Sequence, residues 1–342
     1  MAKSGMRAST LAAEDPITDR LGDGPRGPRP KSAFSRRNIV LYGTLIIVSI
    51  YYLLPLYVML VTSLKDMAEI RVGNVFSPPV EITWEPWVKA WSEACTGVNC
   101  DGLSRGFWNS VRILIPSLIL SMSLALVSGY ALSKWRFKGS EVFFTMLLVG
   151  AFIPYQVMLY PIVIGLRETG NFFGDVLTWF WQPTCGLFSE ECGRIRVQLF
   201  GSLSGLVIVH TIFGMPINVL LFRNYFAAIP EELFKAARVD GAGFWGILFR
   251  IILPMSLPII VVSGIIQVTG IWNDFLFGVV YTRAEQYPMT VQLNNIVNSV
   301  QGVKEYNVNM AATLLTGLVP LVVYFFSGKL FVRGIAAGAV KG

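Results

Sequence analysis

The chain has 342 residues, of which 54% are apolar and only 14% charged, and its mean hydropathy is +0.57. An ordinary soluble domain of that length does not carry so much apolar material, so the composition predicts a polytopic membrane protein. The net charge of +7 does not indicate a nucleic-acid partner. Its cations are scattered among short loops, with no basic face interleaved with stacking aromatics.

Residues 1–37 mix Lys and Arg with Glu14, Asp15, Asp19 and Asp23 and contain Gly24-Pro25-Arg26-Gly27-Pro28-Arg29-Pro30. Such a run cannot bury a core and is predicted to be a disordered tail. Six apolar segments follow, near 39–63, 109–133, 142–166, 198–222, 251–280 and 310–332. Each is long enough to cross a hydrocarbon layer of about 30 Å as a helix of about 20 residues, so the expected fold is all-α with six transmembrane helices. The first run is too long for the apolar core of a signal peptide and is read as a retained helix. The fifth is the least regular, opened by Pro254 and Pro258 and interrupted by Asn273 and Asp274.

Lys and Arg near span ends are held on the cytoplasmic side. With the N-terminus inside, the inner pieces hold Arg36 and Arg37; Lys134, Arg136 and Lys138; Arg223, Lys235 and Arg238; and Lys329, Arg333 and Lys341. The first outer loop, 64–107, is net acidic. Both termini and the 230–242 loop are then cytoplasmic. All four cysteines fall outside: Cys95 and Cys100 in the first outer loop, Cys185 and Cys192 in the second. An even number in an oxidising compartment suggests disulfides. Cys95–Cys100 with Cys185–Cys192 closes the shortest loops, and cross-loop bridges are also allowed. With no Cys-x-x-Cys and the sole histidine in a span, a zinc site is not expected, nor any other metal site.

The second outer loop, 167–197, carries Phe172-Phe173 and Trp179-Phe180-Trp181 and is read as a small structured cap. It suits either a docking surface for a soluble binding protein or an aromatic membrane anchor. His210, inside the fourth span, is read as a neutral, hydrogen-bonded structural residue. With a lone membrane histidine there is no general base beside an activated nucleophile, so no catalytic residue is assigned.

The most specific stretch is Pro230-Glu231-Glu232-Leu233-Phe234-Lys235-Ala236-Ala237-Arg238-Val239-Asp240-Gly241-Ala242, followed by Ile251-Ile252-Leu253-Pro254. Pro230 suits a helix start, Glu231 and Glu232 favour its positive end, and Gly241 provides the stop. Leu233, Phe234, Ala236 and Ala237 give a short apolar face, a shape suited to a polar-rimmed groove. Gly241-Ala242-Gly243-Phe244-Trp245-Gly246 matches a dinucleotide fingerprint only in letters, because no strand precedes it. No phosphate-binding loop of the G-x-x-x-x-G-K-[ST] type occurs.

Further on, Asp274 must face a water-filled cavity, a partner or a neighbouring helix, since an exposed carboxylate is costly in lipid. Trp272 beside it has a face of the kind that packs on a sugar ring, with Asn273 and Asp274 available to hydroxyls. Equally, Asn273 and Asp274 suit pinning of adjacent helices or the outer mouth of the span.

The 230–254 stretch resembles the EAA loop of ABC importer permeases. From about residue 38 to the end, the order of spans, Trp272-Asn273-Asp274-Phe275 and the closing Gly334-Ile335-Ala336-Ala337-Gly338-Ala339-Val340-Lys341-Gly342 resemble maltose-type carbohydrate permeases of the second-subunit kind. The cysteine-bearing insertions are more similar to the glucose/mannose branch. The resemblance implies a permease domain over 38–333 that works by alternating access, with a cytosolic coupling helix in 230–242. Glu231, Glu232, Leu233, Lys235, Ala236, Ala237, Asp240, Gly241 and Ala242 would meet a separate ATPase. The tail 334–342, through Gly338, Val340, Lys341 and Gly342, would reach the same ATPase dimer. Lys235 departs from the family pattern, which places Glu before the paired alanines.

The implied partners are a homologous second permease, two ATP-binding subunits carrying ATP and magnesium, a periplasmic sugar-binding protein and the lipid bilayer of a bacterial inner membrane. No cofactor is expected in this chain. A monosaccharide such as glucose or mannose is the expected cargo. A disaccharide, an oligosaccharide or a non-sugar solute is the alternative, and an ion-coupled secondary transporter is the more distant one.

Overall fold

The structure, a computed structural model, describes residues 36–95, 99–185, 194–298 and 304–339, with side chains omitted in 180–185 and 329–339. The predicted tail before residue 36, Cys192, Val340, Lys341 and Gly342 lie outside the described residues, as does the side chain of Cys185. Two units divide at Leu56 and Tyr57. Described residues of the first belong to α1 (Arg36–Ser63). Its residues 39–54 are apolar and largely exposed on every side, as expected for a helix whose solvent is lipid.

The second unit continues with α2 (Met67–Val72), α3 (Glu85–Ser92), α4 (Ser104–Lys134), α5 (Ser140–Ala151), α6 (Tyr155–Cys185) and α7 (Leu203–Ala227). Then come α8 (Glu231–Val239), α9 (Phe244–Ile247), a π-helical turn (Leu248–Ile252), α10 (Leu253–Met255), α11 (Leu257–Trp272), α12 (Leu276–Tyr281), a 3₁₀ turn (Ala284–Gln286), α13 (Met289–Val297) and α14 (Tyr306–Ala339). The described regular structure is entirely helical.

The six expected spans are recognisable, but two are broken. Helices α1, α4, α7 and α14 are each long and apolar enough to cross a membrane, and two bent pairs pass the same test when each is taken as one span. The third run bends by 104° between α5 and α6 instead of passing straight through 142–166. Phe152-Ile153-Pro154 makes the break, because Pro154 has no N–H to donate and pushes Ile153 out of the helical region. The fifth run bends by 76° between Met255 and Leu257. There Pro254 and Pro258 remove two backbone donors, and Ser256 Oγ turns back to the carbonyl of Ile252 at 2.5 Å. Beyond Trp272 the helix stops, so 273–280 is a turn and a new helix.

The core sits between α4 and α7. Ser117, Ser121, Ala125, Gly129 and Ser133 of α4 recur every four residues and are all buried. Small side chains at this spacing let two membrane helices approach closely. A Cβ added at Gly129 would stand 2.8 Å from Phe222 Cβ and 3.0 Å from the backbone nitrogen of Arg223. Helices α7 and α11 are joined by a buried polar set. Asn218 Nδ2 donates to Gln267 Oε1 at 3.2 Å, and Ser263 Oγ donates to Asn218 Oδ1 at 2.6 Å. Arg223 of α7 holds both carboxylate oxygens of Glu141 at 2.8 Å and lies over the Phe144 ring, which fastens α5.

Most of the expected outer loop 167–197 is helix rather than cap, since α6 runs on to Cys185. The 194–199 segment, without regular secondary structure, lies along the same helix. Gly170 and Gly174, one turn apart, let the carbonyls of Val197 and Ile195 sit where side chains would otherwise be. Ile195 N donates to Thr178 Oγ1 at 2.8 Å.

Candidate functional site

Helix α8 follows α7 directly and is short and amphipathic. Pro230 precedes it, and Glu231 and Glu232 occupy its first turn, where the helix dipole favours carboxylates. Its end is a Schellman motif: Ala242 N donates to the carbonyl of Ala237 at 2.9 Å and Gly241 N to that of Arg238 at 3.0 Å. Gly241 has φ 80°, and a Cβ there would meet nothing. The demand for glycine is therefore conformational rather than steric. Gly241→Ala is expected to cost about 1–2 kcal/mol, with Gly241→Asn costing less, read as faster hydrogen exchange of the α8 amides in the Ala variant.

The apolar residues of α8 do not form one face. Phe234 and Ala237 point inward into a cluster with Tyr130 and Leu132 of α4, Phe222 and Phe226 of α7, and Ile247 and Leu248. Phe234 is only 1% exposed. Leu233, Ala236 and the 88%-exposed Val239 point outward. A helical repeat of 3.6 residues sends neighbours 233 and 234, and 236 and 237, to different sides, which explains the division. Around the outward strip Glu231, Glu232, Lys235, Arg238 and Asp240 are exposed, and Ala242 is half-buried beneath.

The seat of α8 is locked by the end of α4. Lys134 Nζ donates to the carbonyl of Ile229 at 2.8 Å and lies 4.7 Å from the centre of the Phe234 ring. Arg238 donates to the carbonyl of Lys134 at 3.2 Å and covers the Trp135 ring at 4.7 Å. Trp135 in turn donates from Nε1 to the Tyr130 hydroxyl at 2.5 Å. Cations read as topology markers thus also have a packing task, which sequence alone did not reveal.

The residues considered for a solute path are separated. Trp272 is 2% exposed, packs edge-on to Phe107 and donates from Nε1 to the Thr316 carbonyl at 2.9 Å. Its ring is a core element between α4 and α14. Asn273 is exposed. Asp274 caps α12, accepting the backbone N–H groups of Phe277 at 3.2 Å and Gly278 at 3.0 Å. His210 Nε2 lies 3.6 Å from Asp274 Oδ2, so the two polar groups of adjacent spans share one small pocket with Ser110. Cys95 and Cys100 stand sulfur to sulfur. Gly338 lies within α14, which continues helical past residue 334.

A multi-span helical membrane protein with a short amphipathic helix held at the end of a central span is what these elements define. The model for the family described as "Binding-protein-dependent transport system inner membrane component" matches residues 117–337. The chain belongs to that family, and it is an integral, multi-pass membrane protein. It is similar to a probable ABC transporter permease protein of Pyrococcus horikoshii, 34% identical over 310 residues, covering 90% of this chain and 98% of the relative. An alpha-glucoside transport system permease protein of Rhizobium meliloti is 31% identical over 247 residues, covering 72% of this chain and 58% of the relative. Among solved structures, a bacterial ABC transporter involved in the import of the acidic polysaccharide alginate matches in fold with a TM-score of 0.67. It is 20% identical, and the match covers 86% of this chain and 98% of that one.

Proposed function

We propose that the chain is one permease subunit of an ATP-driven, binding-protein-dependent sugar importer and that α8 couples it to a separate ATPase. The observation that carries this is the two-sided build of α8, with Phe234 and Ala237 rooted in the α4–α7 core while Leu233, Ala236 and Val239 face outward in a rim of charges. Force applied to the outer strip passes through a packed core to the spans. Glu231, Glu232, Leu233, Lys235, Ala236, Asp240, Gly241 and Ala242 form or shape the contact, and Ala237 supports it from beneath. Gly338, Val340, Lys341 and Gly342 form a second contact with the ATPase dimer, which binds ATP and magnesium; this chain performs no covalent chemistry.

In this reading the protein lies in a bacterial inner membrane with both termini and α8 cytoplasmic, as the distribution of Lys and Arg supports. A homologous permease completes the pore, and a periplasmic sugar-binding protein docks outside. ATP binding and solute delivery both favour one of two states of the permease pair, which is what coupling requires. Alpha-glucosides, diacetylchitobiose and arabinooligosaccharides are named for three similar proteins and xylose and arabinose for one, which favours a di- or oligosaccharide cargo over glucose or mannose.

The test is ATP hydrolysis by the copurified assembly in nanodiscs with its binding protein, titrated with glucose, mannose, maltose, longer glucosides and an amino acid. Stimulation greatest with a di- or oligosaccharide is expected. Stimulation by the amino acid alone excludes sugar cargo, and uptake driven by a proton or sodium gradient without an ATPase excludes the importer.

Cys95 and Cys100 are read as an outer-loop disulfide. In intact cells, an impermeant maleimide is expected to label neither residue until a reductant is added. Labelling without reductant excludes the bridge.

A further inference from the structure

Helix α7 has α8 at one end and, at the other, a cavity of about 660 Å³ between α6 and the 194–200 segment. The 25 residues of α7 separate them by roughly 37 Å. The cavity is therefore on the outer side if α8 is cytoplasmic. Four of its lining residues are arginines, Arg167, Arg194, Arg196 and Arg283, joined by the amides Asn171 and Gln198.

The guanidinium groups are arranged largely by neutral contacts. Arg167 lies 4.7 Å from the centre of the Phe200 ring. With the Gln198 amide oxygen turned towards it, both terminal nitrogens of Arg283 donate to that oxygen, Nη1 at 3.0 Å. Gly201 leaves room for the Arg283 side chain: a Cβ there would stand 2.7 Å from Nε. Only Arg194 has an ion-pair partner among the described residues, namely Asp175. Four positive charges thus converge on one concavity, and among the described residues only Asp175 is in ion-pair contact with them.

We propose that this cavity binds a carboxylate-bearing sugar, a uronate of about disaccharide size. Guanidinium forks match carboxylates in geometry as well as charge, and the Asn171 amide with the Gln198 amide nitrogen offers hydrogen-bonding groups for ring hydroxyls. The volume falls within the range of about 300–1,000 Å³ of small-ligand sites, whereas protein docking generally uses broad surfaces of about 800 Å² per partner. A neutral sugar would give these guanidinium groups hydroxyl acceptors but no opposite charge. The identification of the ligand as a sugar rests on the importer reading above.

The whole assembly in nanodiscs is titrated calorimetrically at low salt with digalacturonate, with its neutral methyl ester and with sulfate. Digalacturonate is expected to bind, and the Arg196→Gln/Arg283→Gln double variant to lose at least about ten-fold in affinity. Arg196→Lys, which keeps the charge but loses the planar fork, is expected to weaken binding, by less than the double variant does. Equal binding of the neutral ester overturns the proposal, even if the double variant does not assemble. Absence of digalacturonate binding, binding unchanged in the double variant, or sulfate binding as tightly as digalacturonate also overturns it. Sugar-stimulated ATP hydrolysis on the same preparation separates the two readings. If stimulation persists while uronate binding is absent, only the cavity assignment fails. If no sugar stimulates hydrolysis, the sugar-cargo reading fails, and the charge-selective affinity is still measured on its own.

Discussion

Phe234→Ala is expected to abolish sugar-stimulated ATP hydrolysis while leaving the membrane spans folded. Phe234 is the largest side chain of α8 that reaches the core, and it is held from above by Lys134. Truncating a buried Phe costs about 3–5 kcal/mol. A helix of nine residues has too little intrinsic stability to persist without that packing. The loss falls locally, because α4 and α7 retain their own interface. The expected signature is fast hydrogen exchange throughout 231–239 with unchanged protection in α7, and ATPase activity that no longer responds to sugar. Protection retained in α8 together with normal stimulation would show that the helix does not depend on this anchor.

Gly129→Val is expected to act on the fold itself. The new side chain would meet Phe222 Cβ at 2.8 Å and the Arg223 backbone at 3.0 Å, and neither contact is the end of a flexible chain. Overpacking typically costs about 1–3 kcal/mol, and here α7 must move away along the whole small-residue seam of α4. The seat of α8 shares that seam through Phe222 and Leu132, so coupling is lost with stability. Little or no monodisperse protein is expected from Gly129→Val. Gly270→Ala, where an added Cβ meets nothing in this chain, is expected to purify normally. Equal yields of the two variants would contradict the close packing of α4 on α7.

Hydrophobic length made the six apolar runs legible, and Pro230, the first-turn carboxylates and Gly241 did the same for the 230–242 helix, because these signals are local. Bends were harder to read. Phe152-Ile153-Pro154 is as apolar as its flanks, so a hydrophobic window passes over it, and only the missing donor of Pro154 marks the break. The apolar residues of α8 are consecutive in sequence, and only helical phase divides them into an anchor and an outer strip. Trp272 looked like a sugar platform beside polar neighbours, yet its N–H finds Thr316 and its ring finds Phe107, partners distant in the chain. Asp274 caps the helix three and four residues ahead, a local bond that appears once the fifth run is known to stop at Trp272. The arginine cavity had no signal of its own, since Arg167, Arg194, Arg196 and Arg283 come from three separate stretches. Gly170 and Gly174, one turn apart, were the available hint that backbone packs against α6.

Cross-linking from the outward face of α8 tests the coupling role most directly. Ala236→Cys, in an otherwise cysteine-free assembly carrying single cysteines along the groove of the ATPase, is treated with a short bifunctional thiol reagent with and without ATP. A permease–ATPase cross-link at position 236, absent from a control cysteine at the exposed Val80, which the proposed orientation puts outside, is the expected result. Failure to cross-link at 236 in a complex that hydrolyses ATP in response to sugar, or labelling of that cysteine from outside intact cells, would contradict the assignment of α8.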